Sequence, residues 1–192
     1  MDTYTCNLKL SAEPITDEHF QQLCTLNPEL RLETNSEGEL IIMSPTGSET
    51  GRKNSDLGGQ FWYWNRQSKL GVVFDSSTGF TLPNGAKRSP DVSWIAIERW
   101  NSLSKQEREG FAPIAPDFVL ELKSPSDSLV TLQNKMSEYM SNGVRLGWLL
   151  DPQDKQVEIY QLGKAKEVLA RPDTLGNDAI LSGLTLELNN IW

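Results

Sequence analysis

Two acidic residues and a lysine on apolar segments are the strongest indication of chemistry in this sequence. Glu121 and Lys123 are separated by one residue within the otherwise apolar segment 118–123. Side chains alternate between the two faces of a strand, so these two charges share one face. Burying either charge alone costs free energy. The pair is therefore expected to compensate itself or to face a cleft that holds a charged group.

Asp91 opens a second apolar segment, 91–97, which also has the character of a core strand. If the two strands are neighbours, Asp91 and Glu121 could share a divalent cation. Mg²⁺ takes one or two protein carboxylates and leaves its other positions to water and phosphate oxygens. Such an ion activates water and neutralises developing charge, while Lys123 could orient the nucleophile or hold a phosphate. A structural ion pair between Glu121 and Lys123 is the alternative interpretation.

Other residue types exclude several kinds of site. The chain has one histidine, His19, and two cysteines, Cys6 and Cys24. One histidine excludes metal sites with two or three His ligands and argues against a Ser-His-Asp triad. Two cysteines cannot form a zinc cage, and we interpret them as unreactive thiols of a reducing compartment. Carboxylates and lysines must therefore carry any acid-base or metal chemistry.

Hydrophobic periodicity predicts the elements that position these residues. Leu57, Phe61 and Trp64 form one apolar stripe of a long helix, in which Gly58 and Gly59 indicate close packing or weaken the prediction. Helices are predicted at 16–26, 48–71, 104–108 and 127–142, and strands at 30–34, 39–43, 71–75, 79–82, 91–97, 117–124, 145–150, 156–160, 167–170 and 184–188. This order predicts an α/β fold with a mixed sheet flanked by helices, preceded by an N-terminal helix and a β-hairpin.

Composition sets the broad class. The 192 residues include 18 basic and 26 acidic ones, a net charge of −8, with 38% hydrophobic residues. We expect a single domain over 1–192, in which 1–15 is an N-terminal tail. No apolar run is long enough for a transmembrane helix, and the first ten residues do not have the pattern of a signal peptide. A cytoplasmic protein without membrane contact is the expectation.

An acid at a strand start, followed about thirty residues later by acid-x-Lys on a second strand, resembles the signature of the PD-(D/E)XK nuclease superfamily. More extended segments resemble the Uma family of bacterial restriction endonucleases, and the resemblance runs from about Thr16 to Trp192. The segments that carry it are 37–45, 88–94, 116–127, 135–139 and 143–152.

The resemblance implies a restriction-endonuclease-like core, a Mg²⁺ site that Mn²⁺ can also occupy, and a homodimer. By position it implies that Asp91, Glu121 and the backbone carbonyl of Leu122 hold the metal, and that Lys123 is the catalytic lysine. Many superfamily members add a glutamate from a preceding helix; Glu49 is the candidate here, with Glu33 as its rival. Some branches carry Gln-xxx-Tyr on the helix after the motif strand, where this chain has Lys135 and Tyr139, so the glutamine is replaced.

Two functions remain open at this point. The first is a Mg²⁺-dependent endonuclease that hydrolyses DNA phosphodiester bonds; the second is a noncatalytic binding module that retains the nuclease fold. The net charge of −8 opposes tight DNA binding, since nonspecific DNA binders are usually basic. We therefore expect weak or partner-assisted binding to DNA. Six basic residues could form a rim around the site: Arg52, Lys53, Arg66, Lys69, Lys87 and Arg88.

Overall fold

The structure is a computed structural model that describes residues 5–8 and 15–192. Its strands are β1 (Thr5–Leu8), β2 (Arg31–Thr34), β3 (Leu40–Met43), β4 (Gly71–Asp75), β5 (Phe80–Thr81), β6 (Lys87–Arg88), β7 (Val92–Ala96), β8 (Phe118–Leu122), β9 (Leu146–Asp151), β10 (Gln156–Gln161), β11 (Glu167–Ala170), β12 (Thr174–Asn177) and β13 (Leu181–Glu187). Its helices are α1 (Asp17–Leu26), α2 (Ser48–Ser68), α3 (Ile97–Ser102), α4 (Lys105–Glu109) and α5 (Leu129–Ser141).

A six-stranded mixed sheet in the order β11-β10-β9-β8-β7-β4 forms the centre of the molecule. β8 and β9 pair in parallel, and the other neighbouring strands in this sheet pair antiparallel. A parallel pair requires a crossover connection, which α5 supplies between β8 and β9. The predicted mixed sheet flanked by helices is confirmed.

The two faces of this sheet bury different helices. Leu57, Phe61 and Trp64 of α2 pack with alternate residues of β7, β8 and β9 and with β13, so the predicted stripe is confirmed. On the opposite face, Met136 and Tyr139 of α5 pack against the other set of strand residues. Because successive strand residues point to opposite faces, Val92 and Leu120 lie under α2, and their chain neighbours point towards α5.

A second, five-stranded sheet in the order β1-β3-β2-β6-β5 contains the predicted hairpin of β2 and β3. Helix α1 covers it with the fully buried Phe20, which packs with Ile15, Leu32 and Leu40. Thr16 caps α1, because its hydroxyl accepts the His19 N–H. The N-terminal helix and hairpin of the predicted fold are confirmed.

The structure differs from the predicted elements in several places. β1 lies within the segment expected to be a tail and pairs with β3. β12 has no counterpart in the prediction, because Thr174–Asn177 contains Gly and Asn, which are depleted in strands. The strand predicted to reach Ile97 ends at Ala96, where its pairing with β4 also ends, and α3 begins there.

Gly58 and Gly59 do not interrupt α2. A Cβ atom at either position would meet nothing within 4 Å, so close packing does not explain these glycines. No helix in the described part of the chain is both long and apolar enough to cross a membrane.

Two glycine substitutions should have opposite effects on stability. A Cβ at Gly71, the first residue of β4, would collide with the Ile95 carbonyl oxygen and the Trp94 ring, so Gly71→Ala should cost about 2 kcal/mol. Gly59→Ala should instead stabilise the exposed face of α2 by about 0.5–1 kcal/mol, because glycine lowers helix stability. Urea unfolding of both variants measures the free energy of unfolding, which should fall in Gly71→Ala and rise in Gly59→Ala. Equal stability of the two variants would contradict the close approach of β4 to β7.

Candidate metal centre

The pairing of β7 with β8 brings the two predicted carboxylates together. Val92 lies opposite Leu120 in this antiparallel pair, and the same register places Asp91 opposite Glu121. Asp91 Oδ2 accepts the backbone N–H of Leu122 at 2.8 Å. The two strands are therefore neighbours, which is the condition under which the sequence predicts a shared cation.

Glu121 is a buried carboxylate in the middle of the sheet, with 4% of its surface exposed. Its Oε1 accepts the Tyr139 hydroxyl at 2.9 Å and lies 2.9 Å from Lys135 Nζ. Burial, and to a lesser degree the negative charge of Asp91, raise the pKa of Glu121 to about 7 even though Lys135 acts in the opposite direction. The negative charge of this carboxylate is thus only partly compensated by the protein.

Asp91 is fixed from two elements. Besides the Leu122 N–H, its Oδ1 accepts the side-chain amide of Asn54 from α2 at 3.2 Å. Burial raises the pKa of Asp91, while the Leu122 N–H and the positive charges of Lys135 and Arg31 lower it. Both carboxylates therefore have raised pKa values and sit beside each other, an arrangement typical of sites that bind a cation.

The donor set fits a hard divalent cation such as Mg²⁺ or Mn²⁺. Two carboxylates and the adjacent Leu122 carbonyl offer oxygen donors, which Mg²⁺ prefers, and Mg²⁺ commonly retains several waters. Within the described residues there is no group of three or more His, Cys, Asp or Glu side chains that would form a complete metal cage. A cation here would depend on water or substrate oxygens to complete its coordination.

The lysine of the acid-x-Lys motif makes its contacts with other residues. Lys123 Nζ lies 3.2 Å from Asp151 Oδ2 and donates to the Gln153 side-chain carbonyl at 2.6 Å. Lys135 of α5, which sequence analysis noted only as the replacement of a glutamine, is instead the lysine in contact with Glu121. Its position beside the apolar stripe of α5, four residues before Tyr139, is the sequence signal for this contact.

Glu33, one of the two rival additional acids, is buried next to this group. Its carboxylate accepts the Ser89 N–H at 2.8 Å and pairs with Arg88 at 3.1 Å and with Lys135 at 3.1 Å. Burial alone would raise the pKa of Glu33, but Lys135, Arg88 and the Ser89 N–H outweigh it and lower the pKa. Glu33 is joined to Glu121 through the Lys135 ammonium.

Glu49, the other rival, lies in the first turn of α2, as predicted. Its side chain is 67% exposed and pairs with Arg52 at 2.7 Å. The hydrogen bond from Arg52 lowers the pKa of Glu49. Neither a hydrogen bond nor an ion pair connects Glu49 with Asp91 or Glu121, all three of which lie in the described part of the chain.

The six basic residues proposed as a rim do not form one surface. Lys87 and Arg88 are buried, and they pair with Asp17 and with Glu33 and Glu138, respectively. Arg66 stacks over the ring of Trp62, which is exposed on α2. The expected rim therefore loses two of its members to internal ion pairs.

Comparisons with known proteins identify the family of the chain and a solved structure with a similar fold. Residues 17–189 match the family Uma2, described as "putative restriction endonuclease". The fold is similar to that of a "putative nuclease belonging to DUF820" from Anabaena variabilis ATCC 29413, with a TM-score of 0.75 and 23% identity over 93% of this chain and 97% of that one. No curated protein matches the chain. Since the family match covers most of its length, the protein belongs to the Uma2 family.

Proposed function

We propose that this protein is a Mg²⁺-dependent endonuclease that hydrolyses phosphodiester bonds of DNA. The observation that carries the proposal is that the register of β7 and β8 places Asp91 beside Glu121, where Asp91 accepts the Leu122 N–H. Membership of the Uma2 family supports a nuclease-like activity on a nucleic acid. The choice of DNA, the metal and the assignment of individual residues are our proposals.

Asp91, Glu121 and the Leu122 carbonyl would hold the ion. When bound, Mg²⁺ or Mn²⁺ would lower the pKa of a coordinated water and neutralise charge on the phosphate. The protein's own contribution is to fix the ligands beforehand: Asn54 and the Leu122 N–H orient Asp91, and Tyr139 orients Glu121. Ligands held in place need no rearrangement when charge develops on the substrate.

The charge distribution supports weak intrinsic affinity for DNA. The chain carries a net charge of −8, and Lys87 and Arg88 are consumed by internal ion pairs. A chain with more acidic than basic residues repels phosphates on balance, so we expect weak binding to DNA. A partner protein or a second copy of the chain would supply the missing affinity.

A homodimer is the assembly that the resemblance implies, and two copies would present two sites to the two strands of a duplex. Duplex DNA as substrate would also fit the expected cytoplasmic location. The homodimer and the cytoplasmic location are both proposals. Sedimentation of the purified protein would test the homodimer, and fractionation of the source cells would test the location.

Asp91→Asn should abolish metal binding without unfolding the protein. The asparagine carbonyl can still accept the Leu122 N–H, but the site loses one of its two negative charges. In calorimetric titrations with Mn²⁺, we expect saturable binding by the wild type and an affinity at least about 100-fold lower in the variant. Glu98→Gln, on the exposed surface of α3, makes the same change in charge and should bind like the wild type. Wild-type affinity in Asp91→Asn would exclude Asp91 as a ligand.

Cleavage of supercoiled plasmid should require a divalent ion. We expect nicked or linear product with Mg²⁺ or Mn²⁺, no product after chelation, and recovery when either ion is added back, because the ion is needed to activate water. The matched control is Asp91→Asn under the same conditions. Product that persists in the presence of chelator would contradict the proposed chemistry. DNA binding that is insensitive to chelator, without any cleavage, would favour a noncatalytic binding module instead.

A further inference from the structure

We propose that Lys135 on α5, and not Lys123 beside the acidic motif, is the lysine that serves the reaction; this inference rests on the proposed function. The two lysines are the candidates because each follows Glu121 in the chain and each is largely buried. Their ammonium groups, however, contact different partners. These contacts indicate which lysine belongs to the candidate metal site and which one stabilises the fold.

Lys123 is held by the turn between β9 and β10. Its ammonium contacts Asp151, whose Oδ1 also accepts the backbone N–H groups of Gln153 and Asp154. Gln153 adds its side-chain carbonyl to the same ammonium at 2.6 Å. Lys123 thus joins the end of β8 to this turn, and its charge is neutralised there by Asp151.

The Lys135 ammonium contacts one candidate metal ligand and a neighbouring glutamate. Its Nζ lies 2.9 Å from Glu121 Oε1 and 3.1 Å from Glu33 Oε1. The positive charge of Lys135 also acts on Asp91. Lys135 is therefore the lysine whose ammonium contacts a candidate metal ligand.

Glu33 keeps the Lys135 ammonium in this position. Because Arg88 and the Ser89 N–H hold the Glu33 carboxylate, Lys135 is fixed between two glutamates that come from different sheets. An ammonium fixed in this way can stabilise negative charge that develops on a phosphate oxygen, without first losing a hydration shell. We assign this role to Lys135 and assign Lys123 to the stability of the β9–β10 turn.

The test compares Lys135→Gln with Lys123→Gln, which make the same chemical change in the two lysines. Glutamine retains an amide that can donate to the carboxylates, so neither variant leaves buried oxygens without a partner. Lys135→Gln should cleave plasmid about 100-fold to 1,000-fold more slowly than the wild type, which is the usual effect of losing one group that stabilises charge.

The same variant should bind Mn²⁺ about tenfold more tightly, because the positive charge of Lys135 next to Glu121 opposes a cation. Slower cleavage together with tighter metal binding is a combination that damage to the fold would not produce. Lys123→Gln should instead lower the midpoint of thermal unfolding and leave both the cleavage rate and the Mn²⁺ affinity of the folded protein unchanged.

Three outcomes would overturn the assignment: loss of cleavage in Lys123→Gln with normal cleavage in Lys135→Gln, weaker Mn²⁺ binding in Lys135→Gln, or unchanged Mn²⁺ affinity in that variant. If Lys135→Gln is unfolded at the assay temperature, Lys135→Arg replaces it. This substitution retains the charge, so Mn²⁺ affinity should stay within about twofold of the wild type. A larger change in that variant would also overturn the assignment.

Failure of the proposed function gives a different result. A wild type that binds Mn²⁺ but cleaves no nucleic acid would refute the nuclease proposal, and the Mn²⁺ affinities of the two glutamine variants would then decide between the lysines. A wild type that neither binds Mn²⁺ nor cleaves would refute both.

Discussion

Burial of the Glu121 carboxylate is the constraint around which the rest of the site is arranged. All five residues of β8 are buried, since β7 and β9 flank the strand and helices cover both faces. A carboxylate at this position must be neutralised, hydrogen-bonded or bound to a cation. Helix α5 meets part of this need with Lys135 and Tyr139, and both contacts go to Oε1. Burial nevertheless raises the pKa of Glu121 to about 7.

The same constraint connects the two sheets. Lys135 also binds Glu33 of β2, and Arg88 of β6 bridges Glu33 to Glu138 of α5. The second sheet is thereby anchored to the helix that compensates Glu121. Removing one member of a buried ionic group leaves its partner without compensation and usually costs about 3–5 kcal/mol. The network thus makes the positions of α5, the second sheet and the candidate ligands mutually dependent.

Sequence reasoning was most successful where local pattern determines position. Apolar segments predict the two strands that carry Asp91 and Glu121, and helical spacing predicts that Leu57, Phe61 and Trp64 of α2 are buried. It was least successful for contacts between distant segments: Glu33 and Lys135 are 102 positions apart, and no local pattern encodes their meeting. The acid-x-Lys motif implies a role for Lys123 from spacing alone. It contains no information on the β9–β10 turn, whose Asp151 binds that lysine.

The central claim is that Asp91, Glu121 and the Leu122 carbonyl form a divalent cation site. The most direct measurement is the anomalous scattering of Mn²⁺ in crystals of the wild-type protein. We predict a peak bound by both carboxylates and the Leu122 carbonyl, with water completing the coordination. Full occupancy of Mn²⁺ at other residues, with no peak between β7 and β8, would contradict the account.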